Sequence, residues 1–375
     1  MPVPATTGQL RTKVYEMEIG DYIVATISGG GSAAPTFSPV NFGRWSDVTQ
    51  ITRNQEFPVN GIETASNSYF FFVKVAKGIL VADRVCLNLI NWDFLNLNKL
   101  IQGVPWNSLN VIPTMISNTS PSGVVSASGV YGVKEPYMAF NKTDGDPSLT
   151  WTAGSPTGWI AYEFPVETVI SGYSIKVVLT GEAPKAWTYE AWDGVNWVEL
   201  DRRSNITNWV SNTKKTFYTS NTKAYVKYRI NISAGASPSY ISVDELEMFE
   251  TTGTIRSLTG GVAYADDNSK KSLTDKGYGA WPTNNEWDRY IMNFPQGKIQ
   301  SGKTLDDVFH YNSVQTWCQD TTVQGFIQYN NNDKVTGSDK RSCRGLTNNP
   351  SQMEWHTSNL QQTYLGFRPV FEYEE

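Results

Sequence analysis

QTWCQD at residues 315–320 and KRSCRG at residues 340–345 carry two of the three cysteines in the chain, so thiol chemistry is the first to weigh. A thiolate acts as a nucleophile or soft-metal ligand when a nearby cation or base lowers its pKa. Arg341 and Arg344 flank Cys343, yet no histidine lies beside Cys318 or Cys343 in sequence. Three is an odd count and no C-x-x-C pair occurs, so neither a disulfide framework nor a zinc ribbon is indicated. Reduced, buried thiols are expected. The two histidines, His310 and His356, lack the H-x-x-x-H spacing that places two imidazoles on one metal. Nucleophile-elbow and phosphate-loop patterns are also missing, and Gly29-Gly30-Gly31-Ser32 reads as a flexible turn because no helical period follows it. No catalytic residue is assigned.

The 375 residues include 13% aromatic and 18% charged side chains, 30 glycines and no run of 18 apolar residues, the profile of a soluble globular chain of about two domains. A formal charge of −5 and only short basic runs (Lys214-Lys215, Lys270-Lys271, Lys340-Arg341) exclude a nucleic-acid partner, and no membrane insertion is expected. MPVPATTGQLRTK at the N-terminus lacks the apolar core of a Sec signal, which leaves release with an assembled particle open.

Two segments have a helical period. NWDFLNLNKLIQG (91–103) puts Phe94, Leu97, Leu100 and Ile101 on one face, with Asp93 as N-cap and Gly103 as stop. TNNEWDRYIM (283–292) opens on a Thr283–Glu286 capping box and aligns Trp287, Tyr290 and Ile291. Between them the period is two. AYVKYRINI (224–232) sets Ala224, Val226, Tyr228, Ile230 and Ile232 on one face, and TYEAW and NWVEL flank a hairpin turn at Asp193-Gly194-Val195. Strand signals recur through residues 108–250, as in an antiparallel sandwich. An all-β block between helix-bearing flanks predicts one domain inserted into another.

The inner pieces SNTSPSGVVSASGVYGVKEPYMAFNKTDGDPSLTW, GWIAYEFPVETVISGYSI, APKAWTYEAWDGVNWVELD, YVKYRINISAG and ISVDELEMF, in that order, resemble the discoidin or factor 5/8 type C family of galactose-binding-like sandwiches, which includes carbohydrate-binding modules. The resemblance implies ligand loops at one end of the sandwich and a structural calcium nearby. For the metal it points to AFNKTDGDPSLTW: Asn141 stands where Asp is usual, with Asp144, Asp146, Thr150 and Glu245 as further oxygen ligands. A solvated turn at Asp144-Gly145-Asp146 is the competing reading. A sugar presents an apolar CH face ringed by hydroxyls, so it needs an aromatic face plus a few polar groups. Tyr131, Trp209 and Tyr240 lie in predicted loops and are the candidates, whereas Trp187, Trp192 and Trp197 lie on strands and core packing is expected for most of them.

The outer pieces RVCLNLINWDFLNLNKLIQG, RSLTGG, AWPTNNEWDRYI, WCQDT, RSCRG and LGFRPVFEY resemble the formylglycine-generating branch of the C-type lectin-like fold. Arg256, Leu258, Thr259, Glu286, Trp287, Trp317, Cys318, Arg341, Arg344, Gly345, Gly366, Phe367 and Arg368 fall on its framework motifs, with Ser257 and Gly260 departing from them. Enzymes of that family bind copper through two cysteines within one short C-terminal segment. Here Cys318 and Cys343 lie far apart in sequence, each on its own framework motif, so catalysis is not expected. Tail receptor-binding proteins of phages and variable proteins of diversity-generating retroelements resemble the same branch and close on a similar Gly-Phe-Arg-Pro-Val strand. Their ligand surface lies between the Trp-Cys turn and that strand, which here implicates Tyr311, Asn312, Tyr329, Asn330, Asn331, Asn332, Trp355, His356 and Asn359. Tyr and Trp supply contact area at low entropic cost and Asn supplies adaptable hydrogen bonds, although Asn clusters also simply make turns.

The combined expectation is a mainly β chain with few helices (α+β): a C-type lectin-like domain (51–107 plus 251–375) interrupted by a discoidin-like jelly-roll sandwich (108–250), after an N-terminal attachment region (1–50). It would be a receptor-binding protein of a phage or phage-like tail, resident in the virion or particle. Its partners would be a host cell-surface glycan or receptor and other tail or baseplate proteins. A homotrimer is expected by analogy, and a structural Ca2+ is the only cofactor. The alternatives are a carbohydrate-binding accessory protein and a thiol- or copper-dependent oxidase.

Overall fold

Alternation of apolar and polar residues in the middle of the chain becomes a two-sheet sandwich in the computed structural model, which describes residues 3–30, 33–38, 42–43, 59–60, 65–143, 145–274, 279–312, 314–328, 332–345 and 349–375. Residues 107–252 form one compact unit, and residues 1–106 with 253–373 form another. Strands dominate both, and the helices are short.

In the inner unit a five-stranded antiparallel sheet runs in the order Trp197–Arg203, Pro184–Trp192, Ala224–Gly235, Gly158–Val169, Val124–Ala127. Thr213–Tyr218, Gly172–Val177 and Glu245–Phe249 make a three-stranded sheet. Inward residues of the two sheets merge into one core that encloses Ile160, Tyr162, Tyr173, Ile175, Tyr189, Tyr228, Ile230 and Leu246. Each such side chain contributes ~1.5–3 kcal/mol of burial. Tyr189 joins the layers by stacking on Tyr173 at 4.2 Å and on Tyr228 at 5.9 Å. The expected face of AYVKYRINI needs one correction. Tyr228, Ile230 and Ile232 point inward, but a register shift opposite Glu163 and Thr168 reverses the phase, burying Tyr225 and turning Val226 outward.

In the outer unit a long sheet follows the order Leu10–Arg11, Tyr22–Gly30, Ala65–Ala76, Ile79–Ala82, Val370–Glu372, Thr252–Arg256, Val104–Asn107. The separate attachment region expected at 1–50 is therefore corrected. Ile23, Ala25 and Ile27 are core residues, buried with Phe70, Phe72 and Phe371. A second sheet follows Met353–Thr357, Lys340–Arg344, Gln315–Thr321, Leu365–Phe367, Leu87–Asn88, Val59–Asn60, and it holds both cysteine motifs.

Both helices differ from expectation at their ends. The first is confined to Trp92–Leu97; Asn91, not Asp93, caps it by accepting from the Phe94 amide at 2.8 Å, and it ends well before Gly103. Trp92 and Leu95 are its buried residues, while Leu97 is 79% exposed. The second, Trp287–Met292, is a π-helix that buries Trp287, Tyr290 and Ile291 as expected. Its cap is not Thr283. The Glu286 amide donates to Thr259 Oγ1 at 2.8 Å, and the Thr259 amide donates back to the Glu286 carboxylate at 3.0 Å. This reciprocal cap is assembled across the chain, where no local spacing could reveal it.

Candidate functional site

Cys318 and Cys343 sit on adjacent strands, with Trp317 opposite Cys343 in register, and both thiols are fully buried. Burial pushes both pKa values up, and for Cys318 the nearby Asp320 adds to the shift while Arg344 opposes it. A Cβ at Gly260 would lie 2.3 Å from the Cys318 sulfur, so only glycine leaves room there for the thiol. These thiols are packing elements, with Cys343 in the same cluster as Trp317. In native protein, a disulfide reagent at mildly alkaline pH is expected to modify none of the three cysteines on the minute scale, and all three after denaturation. One fast equivalent in the native state would show an activated thiol.

The outer candidates among the described residues differ in exposure, and not all of them are at the surface. Tyr311 is corrected to a core residue, 6% exposed and packed with Trp287, Ile291 and Phe309. Asn312 is half-buried, its amide donating to Asp306 at 2.9 Å. His356 is held by Gln315 at 2.7 Å, and burial lowers its pKa. Trp355 is half-buried beneath the Lys340 ammonium, 5.1 Å from its ring centroid. Asn332 and Asn359 are exposed. Tyr329, Asn330 and Asn331 lie outside the described residues.

Most of the expected calcium ligands among the described residues are already committed to other partners, the exception being Glu245 Oε1, which is buried without a hydrogen-bond partner. Asn141 Oδ1 accepts from the Thr143 amide (2.9 Å) and hydroxyl (2.6 Å). Asp146 caps a short 3-10 turn through Ser148, and the Thr150 hydroxyl donates to the Pro147 carbonyl at 3.2 Å. Glu245 accepts from the Lys142 amide at 2.9 Å, and burial raises its pKa to about 8. Beside it the buried Lys176 ammonium lies 2.8 Å from Asp244 and 3.1 Å from the Thr143 carbonyl. The positive charge here is a lysine, and a divalent cation does not fit next to it. Asp144 lies outside the described residues, and no metal-binding group of three His, Cys, Asp or Glu occurs among those described.

Tyr131 and Tyr240 do come together. Their ring centroids are 4.8 Å apart with planes at 63°, Tyr131 is 51% exposed, and the hydrogen bond that the Tyr240 phenol donates to Tyr131 raises the Tyr240 pKa. The pair is held from below: the Tyr131 amide donates to the Thr152 carbonyl at 2.8 Å, Thr152 bonds Ser242 at 2.9 Å, and Ser242 donates to Glu182. Strands Trp151–Ala153 and Ile241–Val243 pair here, so strand ends fix the loops that carry the rings. Aromatic surface beside hydroxyls and a carboxylate is what a sugar ring requires. Trp209 does not belong to this group. Its indole N–H is used by the Pro184 carbonyl at 2.8 Å, and its ring lies 6.4 Å from Trp187.

Sequence reasoning missed Trp192 and Trp197. Trp187 is buried as expected, but the other two are half-buried and lie outside the sandwich core. Parity was the available signal: in a regular strand Trp187 and Trp192, an odd number of residues apart, face opposite sides.

No family model matches the chain, and no curated protein is similar to it. Solved structures similar to it include a chitosan-binding module of a chitosanase/glucanase from Paenibacillus sp. IK-5, at 13% identity and TM-score 0.30, covering 36% of this chain and 98% of that one. A family 32 carbohydrate-binding module of NanJ from C. perfringens, in complex with galactose, is 14% identical with TM-score 0.30, covering 34% and 93%. An F5/8 type C domain from Bacteroides fragilis is 16% identical with TM-score 0.30, covering 34% and 91%.

Proposed function

We propose that the chain is an attachment protein that binds a cell-surface glycan through the loop end of its inner sandwich, with Tyr131 and Tyr240 as the sugar platform. The observation that carries this reading is the half-exposed Tyr131–Tyr240 pair, held at 4.8 Å on a hydrogen-bonded base of Thr152, Ser242 and Glu182. Two tilted rings offer an apolar face, and their hydroxyls remain at its edge for hydrogen bonding. Because strand ends fix the supporting loops, little ordering entropy is lost on binding.

The finer reading is a receptor-binding protein of a phage or phage-like tail. Its support is the resemblance carried by RSLTGG, WCQDT, RSCRG and LGFRPVFEY. Exposed Asn332 and Asn359 of the outer unit would add polar contacts.

Tyr131→Ala and Tyr240→Ala are each expected to weaken binding of the intact protein to glycans on host-type cells by about tenfold, which is ~1.4 kcal/mol. Thermal unfolding should change little, because Tyr131 is half-exposed. Unchanged binding in the double variant would remove the loop end from the function.

A further inference from the structure

The open face of the five-stranded sheet holds a second feature that the loop end does not use. The Asp193–Asn196 turn is tied by Asp193 Oδ1, which accepts from the Val195 and Asn196 amides at 2.8 and 2.7 Å, while Gly194 takes φ +100°. This turn sets Trp192 directly opposite Trp197. Trp192 is in turn opposite Lys227, and Lys227 opposite Glu163. Trp197, Trp192, Lys227 and Glu163 therefore form one register row across four strands, about 14 Å long at ordinary strand spacing. Together with half-buried Val226, turned outward by the phase reversal described above, they line a cleft of about 380 Å³.

The row is preorganised. Trp192 and Trp197 meet at 5.4 Å with planes at 59°, making an angled aromatic wall. One face of Trp197 is covered by the Arg229 guanidinium, 3.9 Å from its centroid, and Glu190 fixes that guanidinium at 2.6 Å. The opposite wall is the Lys227–Glu163 pair at 3.2 Å. The two charges that line the cleft, Lys227 and Glu163, thus neutralise each other, and Arg229 behind Trp197 is paired with Glu190, so the lining carries no net charge to attract an ionic ligand. Lys227 can still donate and Glu163 can still accept, which suits a pair of neighbouring hydroxyls.

We propose that this cleft is a second saccharide site, taking a neutral hexose unit or a short neutral chain laid across the strands, with Trp192 and Trp197 as the stacking wall and Lys227 and Glu163 as the hydroxyl-binding wall. The proposal extends the glycan-binding reading but uses a different face. Anionic sugars would have to displace Lys227 from Glu163, and amino sugars would meet an ammonium already in place.

The test is titration of the intact protein with neutral di- to tetrasaccharides of galactose, glucose and mannose, with oligogalacturonate and chitosan oligosaccharides as charged controls, read by tryptophan fluorescence and calorimetry. The Tyr131→Ala/Tyr240→Ala variant is expected to keep a neutral-sugar fluorescence change. That change should weaken at least about tenfold on adding Trp192→Ala, and similarly on adding Lys227→Ala, a change at a half-exposed position that guards against a folding defect. If the tyrosine variant binds nothing, or if Trp192→Ala and Lys227→Ala leave residual binding unchanged, the cleft is not a saccharide site and the loop-end reading is untouched. If the tyrosine variant binds cells normally while Trp192→Ala abolishes binding, the loop end fails and the cleft stands. No response to any neutral sugar, or a stronger response to the charged controls, overturns the proposal.

Discussion

Arg344→Met is expected to destabilise the outer unit by about 3–5 kcal/mol, measured by urea unfolding followed through tryptophan fluorescence. Arg344 is completely buried, with Nη2 2.6 Å from Asp288 Oδ1, Nη1 donating to the Gly260 carbonyl at 2.8 Å and Nε to the Gln352 carbonyl at 3.1 Å. Its guanidinium also lies 5.5 Å from the Trp287 ring centroid. Methionine fills similar volume but removes the donor to the Gly260 and Gln352 carbonyls, the longer bonds to the Pro350 (3.4 Å) and Ser351 (3.3 Å) carbonyls, and the cation beside the Asp288 carboxylate. The carboxylate is the costly part, because one buried charge without its partner outweighs the loss of any single neutral bond. Asp288 keeps the Ala280 amide (3.0 Å) and Asn285 Nδ2 (2.7 Å), so Asp288→Asn in the methionine background should restore part of the loss. The double-mutant cycle isolates the ion pair. A loss below about 1 kcal/mol for Arg344→Met would mean that the cysteine strand is anchored by its apolar contacts alone.

What the sequence disclosed follows from which constraints are local. Strands of the inner unit were legible because Tyr228, Ile230 and Ile232 alternate with polar residues, and alternation survives wherever one face is buried. The turn at Asp193-Gly194 was legible because glycine meets a backbone demand that few residues can. Trp287, Tyr290 and Ile291 were placed inward by spacing alone, although the helix that carries them is wider than an α-helix. Non-local constraints were not legible. Thr259 caps a helix 27 residues later, and only the fold brings it there. Tyr311 was grouped with the Asn- and Tyr-rich region that the resemblance marks as a ligand surface, yet it shares a core cluster with Trp287 and Phe309. At the loop end, Tyr131 and Tyr240 could be named as sugar-facing types, but their meeting depends on Trp151–Ala153 pairing with Ile241–Val243. Trp209 was chosen on the same compositional grounds and packs against Trp187 instead. Composition selects candidates, and strand pairing decides which of them share a site.

Lys176→Met is the second large effect expected, about 3–5 kcal/mol of lost stability in the inner unit. Strand Gly172–Val177 is buried at every position, and its one charged residue is Lys176. That ammonium lies 2.8 Å from Asp244 and beside Glu245, whose Oε1 has no hydrogen-bond partner. Removing it takes the ammonium from beside the enclosed Asp244 carboxylate, next to a second carboxyl that burial already holds near a pKa of about 8. Asp244→Asn added to Lys176→Met should recover much of the loss, because it removes the negative charge that the ammonium served and keeps the shape. The same arrangement fixes the response to metal. With a lysine as the resident cation, millimolar Ca2+ or a chelator should leave the melting temperature of the wild-type inner transition unchanged. In Lys176→Met the carboxylates lose their internal counter-ion, and Ca2+ is then expected to raise the melting temperature, because a ligand that binds only the folded state stabilises it by mass action. A chelator-sensitive wild type would mean that Asp244 and Glu245 serve a metal after all. A Lys176→Met variant as stable as the parent would mean that Asp244 is adequately served by its other neighbours.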